Sequence, residues 1–105
     1  MKILFDQGAP EPLCRHLSGH TVDTAFQRGW SHLENGALLD AAERAGYDLL
    51  ITTDQNLKYQ QNLVGRKLAV LVLLSTSWPR IQLQIAGILT AVKGMGPGGY
   101  VEIPI

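Results

Sequence analysis

The run Leu68-Ala69-Val70-Leu71-Val72-Leu73-Leu74 most limits what this chain can fold into. It has no alternation of polar and apolar positions, so a strand formed there must be covered on both faces. A strand in a parallel sheet with helices above and below meets that condition. The run is also the longest uninterrupted apolar stretch, far short of the ~18–20 residues that a membrane-spanning helix needs. No membrane partner is expected.

Other short apolar segments alternate with helix-like ones. Lys2–Phe5 reads as the first strand, ending at Asp6. Gln7-Gly8-Ala9-Pro10 breaks it, and Pro10 and Pro12 suit the first turn of a helix running to about Leu17. Ser18-Gly19 closes that helix, and His20–Phe26, with β-branched Thr21, Val22 and Thr24, reads as a second strand. A polar loop, Gln27 to His32, leads to a second helix ending at Gly46, where Leu38, Ala42 and Ala45 share one face. Asp48–Thr53 reads as the third strand, about Asn56 to Asn62 as a short helix or turn, and Leu68–Leu74 as the fourth strand. Ser75-Thr76-Ser77 offers N-caps for one long helix through Lys93, with Ile81, Ile85, Ile88, Leu89 and Val92 at helical spacing. Gly94 ends it, and a Gly-Pro-Gly-Gly linker delivers a last strand, Tyr100 to Ile105. The alternation predicts one α/β domain over residues 1–105, a three-layer αβα sandwich around a mainly parallel sheet.

The 105 residues carry nine Lys and Arg against nine Asp and Glu. Zero formal charge excludes the strongly basic kind of nucleic-acid binder, which neutralises many phosphates itself. It leaves room for an enzyme that brings a metal ion to the phosphate. The single cysteine, Cys14, cannot form an internal disulfide, and the start Met1-Lys2-Ile3-Leu4-Phe5-Asp6 lacks the apolar stretch of a secretory signal. A reducing cytoplasm is the expected location.

In open α/β sheets ligands bind beyond the carboxyl ends of the strands, where strand order reverses. Asp6 follows the first strand and Asp54 the third; with those strands adjacent, the two acids meet across one crevice. Paired carboxylates repel unless one is protonated or a cation lies between them. Mg²⁺ takes one or two carboxylates plus phosphate oxygens, and can polarise a phosphodiester and activate a water. The bland reading is that each Asp starts a turn.

Glu34 is the best-placed third acid, although Ser31-His32-Leu33-Glu34 also matches a capping box in which Ser31 is the N-cap. Asn35 is a cap or a neutral ligand. Asp40 is spaced to pair with Arg44 on a solvated helix face. The segment Asp54 to Asn62 is rich in amides. Gln55 and Asn56 can hold waters, phosphate oxygens or base edges, Lys58 can neutralise a phosphate and Tyr59 can stack on a base; the bland alternative is a polar surface turn. Trp30 and Trp78 read as packing anchors, with Trp30 close enough to line the site. His16, His20 and His32 show no metal-ligand spacing, and Cys14 reads as a small buried hydrophobe.

Lys-Ile-Leu-Phe-Asp (2–6), Glu-Asn-Gly-Ala-Leu-Leu-Asp-Ala-Ala-Glu (34–43) and Leu-Leu-Ile-Thr-Thr-Asp-Gln-Asn-Leu (49–57) together resemble the short bacterial PIN-like domains. The resemblance covers nearly the whole chain. It implies a PIN-like central sheet and a Mg²⁺- or Mn²⁺-dependent endoribonuclease, the toxin of a toxin–antitoxin pair. Asp6 then matches the acid of the first strand, Asp54 that of the middle strand and Glu34 the helix acid. Related sequences often hold an acid about where Asn35 stands, and the amide-rich stretch, with Asn56, replaces the fourth acid. The implied partners are RNA and a small antitoxin protein; a homodimer is left open. The alternatives are a receiver-like Mg²⁺-binding signalling domain and a PIN-like binding module without turnover.

Overall fold

A computed structural model describes all residues, Met1–Ile105. Five strands, β1 (Lys2–Phe5), β2 (Thr21–Thr24), β3 (Leu49–Thr52), β4 (Ala69–Leu73) and β5 (Tyr100–Ile103), form one sheet in the order β2-β1-β3-β4-β5. Every pairing is parallel. The helices are α1 (Asn35–Arg44), α2 (Leu57–Gln60), α3 (Trp78–Gln82) and α4 (Ile85–Gly94), with a 3-10 helix at Glu11–His16. No helix is long and apolar enough to cross a membrane.

Strand periodicity divides the core in two. Ile3, Phe5, Leu49, Ile51, Ala69, Leu71 and Leu73 point to one face, where they meet Leu13, Leu17, Ile81, Ile88 and Val92. Leu4, Leu50, Val70 and Val72 point to the other, against Leu38, Leu39, Ala42 and Leu57. Both faces of β3 and β4 are therefore buried, as their non-alternating sequences require. The sheet is the middle of an αβα sandwich.

Three local expectations are corrected. The segment after Pro10 forms a 3-10 helix. Its closing bonds, Leu13 N–H to Pro10 O and Leu17 N–H to Cys14 O, span three residues, and Pro12 has no amide hydrogen to donate. The long last helix is broken in two between Gln82 and Ile85. There the amides of Leu83 and Gln84 bond three residues back, to Arg80 O and Ile81 O, tightening the turn without a Gly or Pro. Packing overrides local propensity at this point: Ile81, Ile88 and Val92 all stay buried. Ser77 is the N-cap residue of α3, but its side chain makes no capping bond.

Asp40 is the third. It pairs with Arg66, which also reaches Glu43, rather than with Arg44. The planar guanidinium serves two carboxylates on adjacent turns of α1 at once.

Candidate active site

In this strand order the first chain reversal falls between β1 and β3, since β1 runs to β2 on one side and β3 to β4 on the other. A crevice forms at such a switch point beyond the strands' carboxyl ends. The register pairs Phe5 with Ile51, and the Asp6 amide continues the ladder by donating to Ile51 O at 3.1 Å. Asp6 thus lies opposite Thr52. Alternation places both side chains on the α1 face, where Leu4 and Leu50 also point.

Thr52 is the one polar residue in the fully buried core. Its hydroxyl donates to Asp6 Oδ2 and accepts from the Asp54 amide at 3.0 Å. A single side chain therefore ties the acid ending β1 to the backbone of the acid beyond β3. Gly8 N–H donates to Asp6 Oδ1 at 3.0 Å, and Asn56 N–H to Asp54 Oδ1 at 2.9 Å. These bonds set both carboxylates in turns, as the bland reading of each Asp has it. They also leave lone pairs on each carboxylate, which can accept about four bonds.

Burial pushes the Asp6 carboxyl above its ordinary 3.8, the bonds from Thr52, Gly8 and Ala9 pull it back, and the charge of Asp54 pushes it up again. The half-buried carboxylate is thus held beside a second acid with no cationic side chain paired to either. Such a pair is relieved by a cation. Two carboxylates with open lone pairs fit Mg²⁺ or Mn²⁺, which completes its shell with waters and substrate oxygens.

The third acid stands differently. Glu34 is extended (φ −125°, ψ 149°) and is itself the N-cap residue of α1, with no side-chain capping bond. The capping-box reading with Ser31 as N-cap is therefore corrected. The carbonyl of Ser31 is held outside the helix by Gln7 Nε2 at 2.8 Å. Glu34 and Asn35 line a cavity of about 200 Å³ together with Asp6 and Trp30. No three His, Cys, Asp or Glu side chains come together closely enough to enclose an ion. Asn35 opens α1 in the left-handed region (φ 44°), a conformation Asn tolerates better than most residues.

The amide-rich segment separates into parts. Gln55 and Asn56 are exposed beyond β3, and Asn56 is the N-cap residue of α2. Tyr59 is 78% exposed. Lys58 Nζ pairs with Glu102 at 2.8 Å, so a phosphate there would compete with that carboxylate for the ammonium. Strand order brings β5 beside β4, and Glu102, steadied by the Tyr100 hydroxyl, captures the ammonium. That partner lies far along the chain, so helix spacing gives no sign of it.

Two features escaped the sequence reading. The Thr52 bridge had one signal, a hydroxyl ending the buried run Leu49-Leu50-Ile51. Gly8 is the other: a Cβ there would lie 2.3 Å from Thr53 Oγ1, so the loops after β1 and β3 touch where only a hydrogen fits. Comparison of the chain with protein-family models, curated proteins and solved structures gives no match.

Proposed function

We propose that this chain is a PIN-like, metal-dependent endoribonuclease that hydrolyses RNA phosphodiester bonds. The observation that supports this reading is the Thr52 bridge, which joins the Asp6 carboxylate to the backbone amide of Asp54 at the β1/β3 switch point. Asp6 and Asp54 are the residues that would hold Mg²⁺ or Mn²⁺. Bound there, the ion would polarise the phosphodiester and lower the pKa of a water. Thr52 and the Gly8 amide orient Asp6, and the Asn56 amide orients Asp54. Glu34 and Asn35 form the cavity wall beside Asp6, where Glu34 can take a proton and Asn35 can hold a water or a phosphate oxygen. A neutral chain has modest general attraction for RNA, so recognition rests on shape and single-stranded contacts.

In this reading the protein works in the cytoplasm as a toxin silenced by a small antitoxin protein. A small DNA-binding protein encoded immediately upstream would support that pairing. The direct test is cleavage of RNA by purified protein with and without Mg²⁺ or Mn²⁺. Asp6→Asn and Asp54→Asn are each expected to lower the rate about a hundredfold or more, since metal stabilisation of the transition state is worth several kcal/mol. Equal cleavage by parent and both variants would refute the assignment.

The strand order favours a second reading, because receiver-type signalling domains use the same 2-1-3-4-5 arrangement. Against it, Asp6 has no acidic neighbour in sequence and β5 ends at Ile103 without a Lys. Transfer of phosphate from acetyl phosphate to Asp54 would select this reading over the nuclease.

A further inference from the structure

Beyond β2 the chain makes a turn tied at several points. The Thr24 amide donates to Gln27 Oε1 at 2.9 Å, and the Gln27 amide donates back to Thr24 Oγ1 at 3.0 Å. Ala25 N–H donates to Phe5 O at 2.8 Å, anchoring the turn beside the end of β1. Phe26 follows, and the residue is left 78% exposed. A phenyl ring held in water forgoes the burial that ordinarily draws aromatics inward.

The ring borders a groove of about 660 Å³ that reaches Asp6, a volume within the ~300–1,000 Å³ range of small-ligand sites. Gln7 and Gln27 also line it. Gln7 spends its amide nitrogen on Ser31 O, which leaves its oxygen as an acceptor. Gln27 spends its oxygen on the Thr24 amide, which leaves its nitrogen with donors. The groove therefore combines an aromatic face, an amide acceptor and amide donors beside the Asp6 carboxylate, with Glu11 as a second acid on its wall that a bound cation or the solvent must screen from a phosphate. An aliphatic side chain by itself would cover the ring without pairing these polar groups. A nucleobase has both a π-face and a hydrogen-bonding edge.

We infer that the groove between Phe26, Gln7 and Gln27 is a subsite for an unpaired nucleobase next to the phosphodiester addressed by Asp6 and Asp54, an inference resting on the nuclease reading. The test is fluorescence anisotropy with an end-labelled single-stranded RNA oligonucleotide, in Ca²⁺ to keep the strand intact. Phe26→Ala and Phe26→Leu are expected to weaken binding about tenfold, as base–aromatic stacking is removed. Phe26→Trp should bind within about twofold of the parent, because it keeps a stacking face. Circular dichroism confirms that each variant is folded. If Phe26→Ala or Phe26→Leu binds like the parent while the parent still cleaves RNA, the subsite is refuted and the nuclease reading stands. Loss of binding to the neighbouring-frame protein with RNA affinity unchanged would make Phe26 a protein contact and also overturn it. If the parent neither binds nor cleaves RNA, both proposals fall together.

Discussion

Thr52→Val is the sharpest test of the candidate site, because valine keeps the shape and burial of threonine and removes only the hydroxyl. That hydroxyl makes two bonds, to Asp6 Oδ2 and from the Asp54 amide. A hydrogen bond to a charged group is worth ~1.5–3 kcal/mol, and a donor left without a partner costs ~1–3 kcal/mol. The two losses share one atom and are not additive, and removing a buried hydroxyl returns part of its desolvation. The expected destabilisation at pH 7 is therefore ~2–4 kcal/mol. With a urea m-value of ~2 kcal/mol/M for a small domain, the unfolding midpoint falls by ~1–2 M. Measured in EDTA, this reports the bridge without a metal. The penalty should shrink in acid, since a protonated Asp6 loses the charge that strengthens the Thr52 bond. Because burial holds the Asp6 carboxyl above its ordinary 3.8, the shrinkage begins on the high side of that value. Thr52→Ser keeps the hydroxyl and should cost only the lost methyl, ~1 kcal/mol. If Thr52→Val is within ~0.5 kcal/mol of the parent at pH 7, with the same pH dependence, the bridge does not organise the two acids.

Two further outcomes follow from the packing. Gly8→Ala should destabilise by ~1–3 kcal/mol through the clash with Thr53 Oγ1, and the double variant Gly8→Ala/Thr53→Ala should recover most of it in the same urea titration; failure to recover would show that Gly8 acts otherwise. Burial and the Asp23 carboxylate push the Tyr47 hydroxyl up to about 12, and burial with Glu102 does the same at Tyr100. These groups hold their protons more tightly folded than unfolded, so their stabilising contribution is complete below pH ~10 and is lost as pH rises toward 12. Tyr47→Phe should flatten that alkaline decline, read as unfolding midpoint against pH, and an unchanged slope would contradict the Tyr47–Asp23 bond.

The alternation of short apolar segments with helical ones was enough to specify a parallel α/β sandwich, because burial on both faces leaves no polar positions along Leu49–Ile51 or Ala69–Leu73. The same punctuation put Asp6 and Asp54 at the carboxyl ends of strands. Whether those ends meet depends on strand order, a long-range choice that local pattern does not encode; the pairing of β1 with β3 decided it. Tertiary structure likewise drew Lys58 to Glu102 and Arg66 to Asp40, since charged side chains pair with whatever the fold brings near. It released Glu34 from a capping box and left Phe26 in solvent. A sequence determines which faces must be buried, while the three-dimensional packing determines which polar groups are left to act together.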